Sequence, residues 1–268
     1  MSSKAHYTTM DTAEAIRRLG IGEGDTVYLT GNLGSLGFHE SKTKQGTLHG
    51  IHEALMSVMT DAGTLVVPTH SFSLCNTDIP FDPETTPSQR GPFTDYVRQL
   101  PGAVRQFHPF ASVAAWGKQA QQICGNTSRH AYGPNTPYER MLNGNAWVIS
   151  VAMPPQTTCS IVHHMEMTMA VPYRYTKEFL HPVVRKGEMT IEAFYLFVTY
   201  RGLELERDQN QKFFQHPLLQ EHVRQVPLGM NHVWAYRMSV FEQAARDCMT
   251  QDIYAWLRRP PEQRPFQS

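Results

Sequence analysis

Residues 26–37 read TVYLTGNLGSLG, a short apolar run followed by a loop that contains three glycines. The β-branched and aromatic side chains predict a strand over residues 26–30, and the glycines predict a tight loop over residues 31–37. Apolar residues then recur at helical spacing over residues 48–61, and the sequence GTLVVP at 63–68 predicts a second buried strand. This order of strand, loop, helix and strand predicts an α/β protein.

The same alternation of elements continues outward from this segment. A helix is predicted over residues 11–20, with Asp11 or Thr12 as its cap and Glu14 completing a D-x-x-E capping box. Further predicted elements are a helix over 93–100, core strands over 113–116 and 147–152, a strand over 189–200, and helices over 235–249 and 252–257. We predict one domain over residues 1–268, with a mainly parallel central sheet flanked by helices and a mixed C-terminal part.

Residues 69–92 interrupt this pattern. The stretch contains four prolines and little periodicity, and it is too long for a plain connector between two elements. We therefore expect this long proline-rich excursion to have a functional role.

Composition excludes several classes of protein. Hydrophobic residues make up 41% of the 268 residues, and 24 basic residues balance 24 acidic ones, which is typical of a globular protein and disfavours nucleic acid as a partner. No apolar run reaches the roughly 18–20 residues that cross a bilayer, and the polar start of the chain does not resemble a signal peptide. Four cysteines without a C-x-x-C pair fit a reducing compartment, so we expect a cytoplasmic protein without a zinc–thiolate site.

Residues 160–166, with the sequence SIVHHME, carry the clearest chemical pattern. If a helix begins there, His163 and Glu166 at positions i and i+3 lie on one face. The carboxylate can then accept one imidazole N–H and leave the other nitrogen free to take a proton. Acyl transfer to an amine needs such a general base.

Several blocks of sequence, in order along the chain, resemble one family, the aminoglycoside 3-N-acetyltransferases. The match spans roughly residues 12–180, and its blocks are GTLVVPT (63–69), FDPETTPS (81–88), PGAVR (101–105), HPFASVAAWG (108–117), YGPNTP (132–137), the segment around His163 and Glu166, and VPYRY (171–175). The resemblance implies direct, acetyl-CoA-dependent N-acetylation of a primary amine, without a metal, and places the family's His–Glu pair at His163 and Glu166.

The resemblance also implies where the cofactor is bound. The loop after the first strand contacts the pantetheine and diphosphate in such relatives, and glycines let backbone N–H groups approach phosphate closely. The implied contacts are Thr30, Gly31, Asn32, Leu33, Gly34, Ser35, Ser112 and Ser160. Two positions depart from the family. Thr30-Gly31-Asn32 replaces the usual His-Ser-Ser, and Cys159-Ser160 replaces the usual Asn-Thr ahead of the histidine.

Other chemistries stay open at this point. Cys159 and His163 could form a nucleophilic pair, and His163, His164 and Glu166 could bind a metal, although adjacent histidines diverge by about 100° on a helix. The acyl donor could be an acyl carrier protein instead of CoA, or the altered loop could mark a ligand-binding protein that no longer catalyses.

The acceptor is the part of the predicted reaction that the sequence determines least. Asp82, in the proline-rich excursion, is the candidate residue for contact with the acceptor ammonium group. A polycationic aminoglycoside needs several converging carboxylates, whereas the later half of the chain is rich in arginine, including Arg201, Arg207, Arg224 and Arg237. This balance does not favour a polycation. We therefore expect an N-acyltransferase that acts on a primary amine of a small molecule, either an aminoglycoside-like antibiotic or a biosynthetic intermediate.

Overall fold

The computed structural model describes residues 6–201, 203, 205–206 and 212–264. Its strands are β1 (Thr26–Gly31), β2 (Thr64–Pro68), β3 (Val104–Arg105), β4 (Val113–Gly117), β5 (Trp147–Val151), β6 (Arg174–Arg185), β7 (Glu188–Thr199), β8 (Arg224–Leu228) and β9 (Asn231–Arg237). Its helices are α1 (Thr9–Arg18), α2 (Lys44–Met59), α3 (Pro92–Arg98), α4 (Ala120–Cys124), α5 (Pro137–Asn143), α6 (Pro155–Thr158), α7 (Ile161–Thr168), α8 (Pro217–His222) and α9 (Met238–Gln251).

Seven of these strands form one sheet in the order β3-β4-β2-β1-β5-β9-β8. At its centre β1 runs parallel to β2 on one side and to β5 on the other. The outer pairs, β2–β4, β3–β4, β5–β9 and β8–β9, are antiparallel. The α/β class is confirmed, and the parallel pairing is confined to the three central strands.

Helices cover both faces of the sheet because successive strand residues point to opposite sides. On β1, Val27 and Leu29 join a buried cluster with residues of α1, α2 and α3. Tyr28, between them, joins a second cluster with residues of α4, α5, α7 and α9. The parallel strands are thus buried on both faces, as their nearly continuous apolar sequence requires.

The mixed C-terminal part contains a long hairpin, β6–β7, paired antiparallel from Arg174 opposite Thr199 to Arg185 opposite Glu188. Strand β7 confirms the strand predicted over 189–200, while β6 was not predicted. The hairpin is anchored through Val183 and Phe194, which are buried in the cluster that also contains Tyr28.

Several element boundaries differ from the sequence predictions, and α2, predicted over 48–61, spans Lys44–Met59. Helix α1 begins earlier than predicted, because Thr8 is the cap and Asp11 completes the capping box by accepting the Thr8 N–H at 2.9 Å. The helix predicted over 235–249 begins only at Met238, since Ala235 belongs to β9 and pairs with Ile149 of β5. The prediction of a helix over residues 252–257 is wrong, because these residues follow the end of α9 and form turns.

The three parallel strands place their carboxyl ends at one edge of the sheet. Strands β1, β2 and β5 end at Gly31, Pro68 and Val151, and the loops that follow them therefore meet there. This edge is the usual position of a binding crevice in an open α/β sheet. No helix in the described ranges is both long and apolar enough to cross a bilayer.

Candidate active site

Helix α7 begins at Ile161, after the short helix α6 that follows β5, and places His163 and Glu166 on one face. The Nδ1 atom of His163 lies 2.7 Å from Oε2 of Glu166. The Glu166 side chain is fully buried, whereas 22% of the His163 side chain is exposed. The predicted pairing of these two residues is confirmed.

Two further residues hold the Glu166 carboxylate. The Nε atom of Arg174, the first residue of β6, lies 2.9 Å from Oε2, and the Tyr173 hydroxyl donates to Oε1 at 3.0 Å. Burial disfavours the ionised carboxylate, but the hydrogen bond and charge of His163, the charge of Arg174 and the Tyr173 hydroxyl outweigh it and lower the pKa of Glu166. Glu166 is therefore a carboxylate at neutral pH, and Arg174 balances its charge.

The imidazole of His163 borders a cavity of about 370 Å³, which we call the histidine cavity. The centroid of the His163 ring lies 5.4 Å from the centroid of the Tyr132 ring, which also lines this cavity. The other residues that line this cavity come from the loops after β2 and β5 and from the C-terminal region: His70, Phe72, Arg90, Gln156, Thr157, Thr158, Cys159, Ser160, Val162 and Trp256.

The neighbouring histidine has a different role. His164 is buried on another side of α7, where its Nδ1 accepts the N–H of Gly133 at 3.3 Å, and burial lowers its pKa. Among the residues that the structure describes, no group of three histidine, cysteine, aspartate or glutamate side chains is arranged to hold a metal ion. The alternative metal site made of His163, His164 and Glu166 is thus not formed.

Cys159 and Ser160 lie just before α7. The Cys159 thiol is buried, accepts a hydrogen bond from the Tyr236 hydroxyl at 3.6 Å, and has its pKa raised to about 12 by burial. A thiol of this kind does not ionise near neutral pH, which argues against a cysteine nucleophile. Ser160 lines the histidine cavity. Burial raises the pKa values of the Tyr28 and Tyr138 hydroxyls, which lie 3.2 Å from each other, and the Ser160 side chain partly offsets this rise.

A second cavity, of about 330 Å³, lies beside the glycine-rich loop, and we call it the loop cavity. Of the residues that the sequence assigned to the cofactor, five line it: Thr30, Gly31, Asn32, Leu33 and Gly34. Ser35 lies in the same loop but not in the wall. The wall also includes Lys44, the first residue of α2, together with Leu48, Arg90 and Phe93.

The structure explains the glycine at position 31, where the resemblance leads one to expect serine. Gly31 has a φ of +117°, and a Cβ atom there would overlap the backbone carbonyl of Val151. The next residue, Asn32, donates its N–H to the same carbonyl at 2.8 Å. This close approach of the loop to β5 requires a residue without a side chain.

Besides Ser35, two sequence-derived candidates lie outside both cavity walls, Ser112 and Asp82. Ser112 is fully buried, where its hydroxyl donates to the Thr69 carbonyl at 2.9 Å and accepts from Arg105 Nε at 3.1 Å. Asp82 caps a turn by accepting the N–H of Glu84 at 2.9 Å. Contacts of Ser112 with the cofactor and of Asp82 with the acceptor therefore stay predictions, and the structure gives each side chain a local structural role.

Sequence reasoning did not find several residues of the two walls. Lys44 and Arg90 are cations that no sequence motif marks. Tyr173 and Arg174, which hold Glu166 but line neither cavity, belong to the block 171–175 of the family resemblance, which gives them no separate role. His70 is 5% exposed, its Nε2 has no hydrogen-bond partner among the described residues, and burial lowers its pKa to about 3. It contributes a neutral imidazole to the histidine cavity.

Comparisons with known proteins identify the family. The sequence profile described as aminoglycoside 3-N-acetyltransferase matches residues 33–250. Aminoglycoside N(3)-acetyltransferase VII of Streptomyces paromomycinus is 26% identical over 219 residues, which are 72% of each chain. The crystal structure of the aminoglycoside acetyltransferase AAC(3)-Xa superposes with a TM-score of 0.79 at 20% identity and covers 94% of both chains. AAC-IIIb, in a binary complex with CoASH, gives a TM-score of 0.77 at 18% identity, covering 91% of this chain and 96% of that one.

The two structural likenesses establish the fold, and the profile match over most of the chain establishes the family. It supports CoA as the acyl donor and gives no support to an acyl carrier protein. The chain belongs to the aminoglycoside 3-N-acetyltransferase family and is a CoA-dependent N-acetyltransferase.

Proposed function

We propose that the protein transfers the acetyl group of acetyl-CoA directly to a primary amine of a small molecule, with His163 as general base and Glu166 as the residue that orients it. The observation that carries this proposal is the 2.7 Å contact between a fully buried carboxylate and an imidazole whose other edge borders a cavity.

The pair suits proton transfer because of its orientation. Glu166 accepts the N–H at Nδ1, which leaves Nε2 of His163 unprotonated and able to accept a proton. As the amine nitrogen bonds to the thioester carbonyl carbon, His163 takes the proton that this nitrogen must lose. It can return the proton to the sulfur as the C–S bond breaks. Glu166 stabilises the transient imidazolium, and Arg174 and Tyr173 keep the carboxylate ionised and fixed.

The loop cavity suits the CoA moiety, which supplies the activated thioester. Lys44 offers a cation for its phosphates and stands at the N-terminus of a 16-residue helix, where anions are favoured. Leu33, Leu48 and Phe93 supply apolar wall for the pantetheine arm. The donor set therefore fits an extended ligand with an anionic end and an apolar arm.

The two cavities adjoin, because Arg90 lines both. Acetyl-CoA in the loop cavity would bring its thioester toward the histidine cavity, where the acceptor amine is placed. Ser160 borders that cavity beside His163 and is our candidate hydrogen-bond donor to the carbonyl oxygen. Relatives named for aminoglycosides support an amino sugar as the acceptor scaffold.

The test is thiol release from acetyl-CoA with a panel of amines, followed on the wild type and on His163→Ala. We expect His163→Ala to lower kcat by at least about 100-fold, the usual range for loss of a general base. His164→Gln is the matched control, since it changes the adjacent histidine but keeps a hydrogen-bond acceptor near Gly133. Equal turnover by His163→Ala and the wild type would refute the assignment of the base.

A further inference from the structure

We infer that the acceptor is an amine that also carries an anionic group, a carboxylate or a phosphate ester, and is not a polycation. This inference rests on the proposed function, since it concerns the acceptor of the same reaction.

The wall of the histidine cavity lacks the charges that a polycation needs. Among the described residues that line it, none is aspartate or glutamate, and Arg90 is the cation. His70 remains neutral, because burial lowers its pKa to about 3. Glu166 lies behind His163, is fully buried and is already paired with Arg174, so its charge is compensated within the protein. A second or third ammonium group of a polycation would therefore lose hydration without gaining a carboxylate.

Arg90 supplies the positive recognition element. Its guanidinium forms no ion pair with any described residue, and it borders both the histidine cavity and the loop cavity. Arg90 is also exposed to solvent, so its guanidinium is accessible to a ligand. A free guanidinium at this position can bind a carboxylate or a phosphate with two parallel hydrogen bonds.

The position of each arginine relative to the two cavities matters more than the number of arginines in the sequence. Of the arginines that disfavour a polycation in the sequence, Arg224 donates to the Leu19 carbonyl and Arg237 pairs with Asp25, and neither lines one of the two cavities. Arg207 lies outside the described residues. The cation that faces the acceptor is instead Arg90, in the proline-rich excursion.

The test compares three amino sugars that differ in one substituent. Glucosamine carries no anion, glucosamine 6-phosphate carries a phosphate and muramic acid carries a carboxylate, while gentamicin represents a polycation. We expect the wild type to prefer one or both anionic sugars over glucosamine by about tenfold in kcat/KM, with gentamicin the poorest acceptor. The phosphate and carboxylate arms show which anion is used.

The Arg90→Gln variant tests whether Arg90 recognises the anionic group of the acceptor. The preference for the anionic sugar over glucosamine should fall to within about twofold, whatever happens to the KM for acetyl-CoA. Lys44→Gln is the matched control, because Lys44 lines the loop cavity but not the histidine cavity. It should raise the KM for acetyl-CoA and keep the preference. Arg17→Gln, a surface cation on α1, controls for net charge.

The outcomes separate this inference from the proposed function. Gentamicin as the best acceptor, no preference between glucosamine and its anionic derivatives, or a preference that Arg90→Gln leaves unchanged would each overturn the inference while acetyl transfer to an amine stands. Absence of acetylation with every amine would instead remove the proposed function.

Discussion

The Nδ1 atom of His163 lies 2.7 Å from Oε2 of Glu166, and the same oxygen lies 2.9 Å from Nε of Arg174. One buried carboxylate oxygen therefore serves both the imidazole and the guanidinium. This arrangement keeps Glu166 ionised without an excess of negative charge under the cavity, and it makes the orientation of His163 depend on a residue from the start of the hairpin.

Glu166→Gln should lower kcat by about 100- to 10,000-fold with a small change in the KM values, because an amide neither fixes the tautomer nor stabilises the imidazolium. Steady-state thiol release measures this effect, with circular dichroism to verify folding. A folded Glu166→Gln variant with wild-type kcat would show that the imidazole needs no carboxylate.

The stability conferred by Glu166 should depend on pH. Its folded-state pKa lies below the ordinary value of 4.5, so its contribution is present above that value and is lost as the pH falls through the folded-state pKa. The difference in free energy of unfolding between the wild type and Glu166→Gln should therefore shrink between pH 7 and the acid range. Urea titrations at several pH values measure it, and a constant difference would contradict the assigned direction.

Cys159→Ala should keep kcat within about threefold of the wild type, because a thiol whose pKa is about 12 is not a nucleophile at neutral pH. Only a stability loss of about 1 kcal/mol is expected from the removed sulfur. Loss of activity in a folded Cys159→Ala variant, together with a trapped acetyl-enzyme, would restore the covalent alternative.

Lys44→Gln should raise the KM for acetyl-CoA by about three- to tenfold at low salt, and less at high salt, because an exposed ammonium is screened. Lys42→Gln is the control, since Lys42 lies two residues earlier and outside the wall of the loop cavity. Equal KM values for the two variants would argue against phosphate binding at the start of α2.

Gly31→Ala should destabilise the protein by at least about 1–3 kcal/mol, because the residue has a positive φ and its new Cβ would overlap the Val151 carbonyl. Gly34→Ala is the control within the same loop. Its Cβ would meet the Asn32 side chain at 3.3 Å, and that flexible group can move. Thermal unfolding of both variants compares them; equal melting temperatures would contradict the requirement for glycine at position 31.

Local sequence was sufficient to predict the elements whose side-chain patterns involve only near neighbours along the chain. The strand and loop at 26–37, the helix that became α2 and the i, i+3 spacing of His163 and Glu166 all follow from side-chain patterns over one or two turns, and the structure contains each of them. Such patterns depend on neighbours along the chain, which the sequence contains directly.

Contacts between distant segments depended on the tertiary structure. The antiparallel pairing of β9 with β5 converted the predicted start of a helix into a strand, and burial gave Ser112 local partners in place of a cavity. Likewise, the carboxyl ends of β1, β2 and β5 bring Lys44, Arg90 and His163 around two adjoining cavities, although 119 positions separate Lys44 from His163. The order of the strands in the sheet brings these residues together, because it places distant segments of the chain side by side. No periodic pattern in the sequence relates those segments. The spacing was therefore enough to predict the contact between His163 and Glu166, whereas the position of Arg90 beside both cavities depended on the packing of the chain.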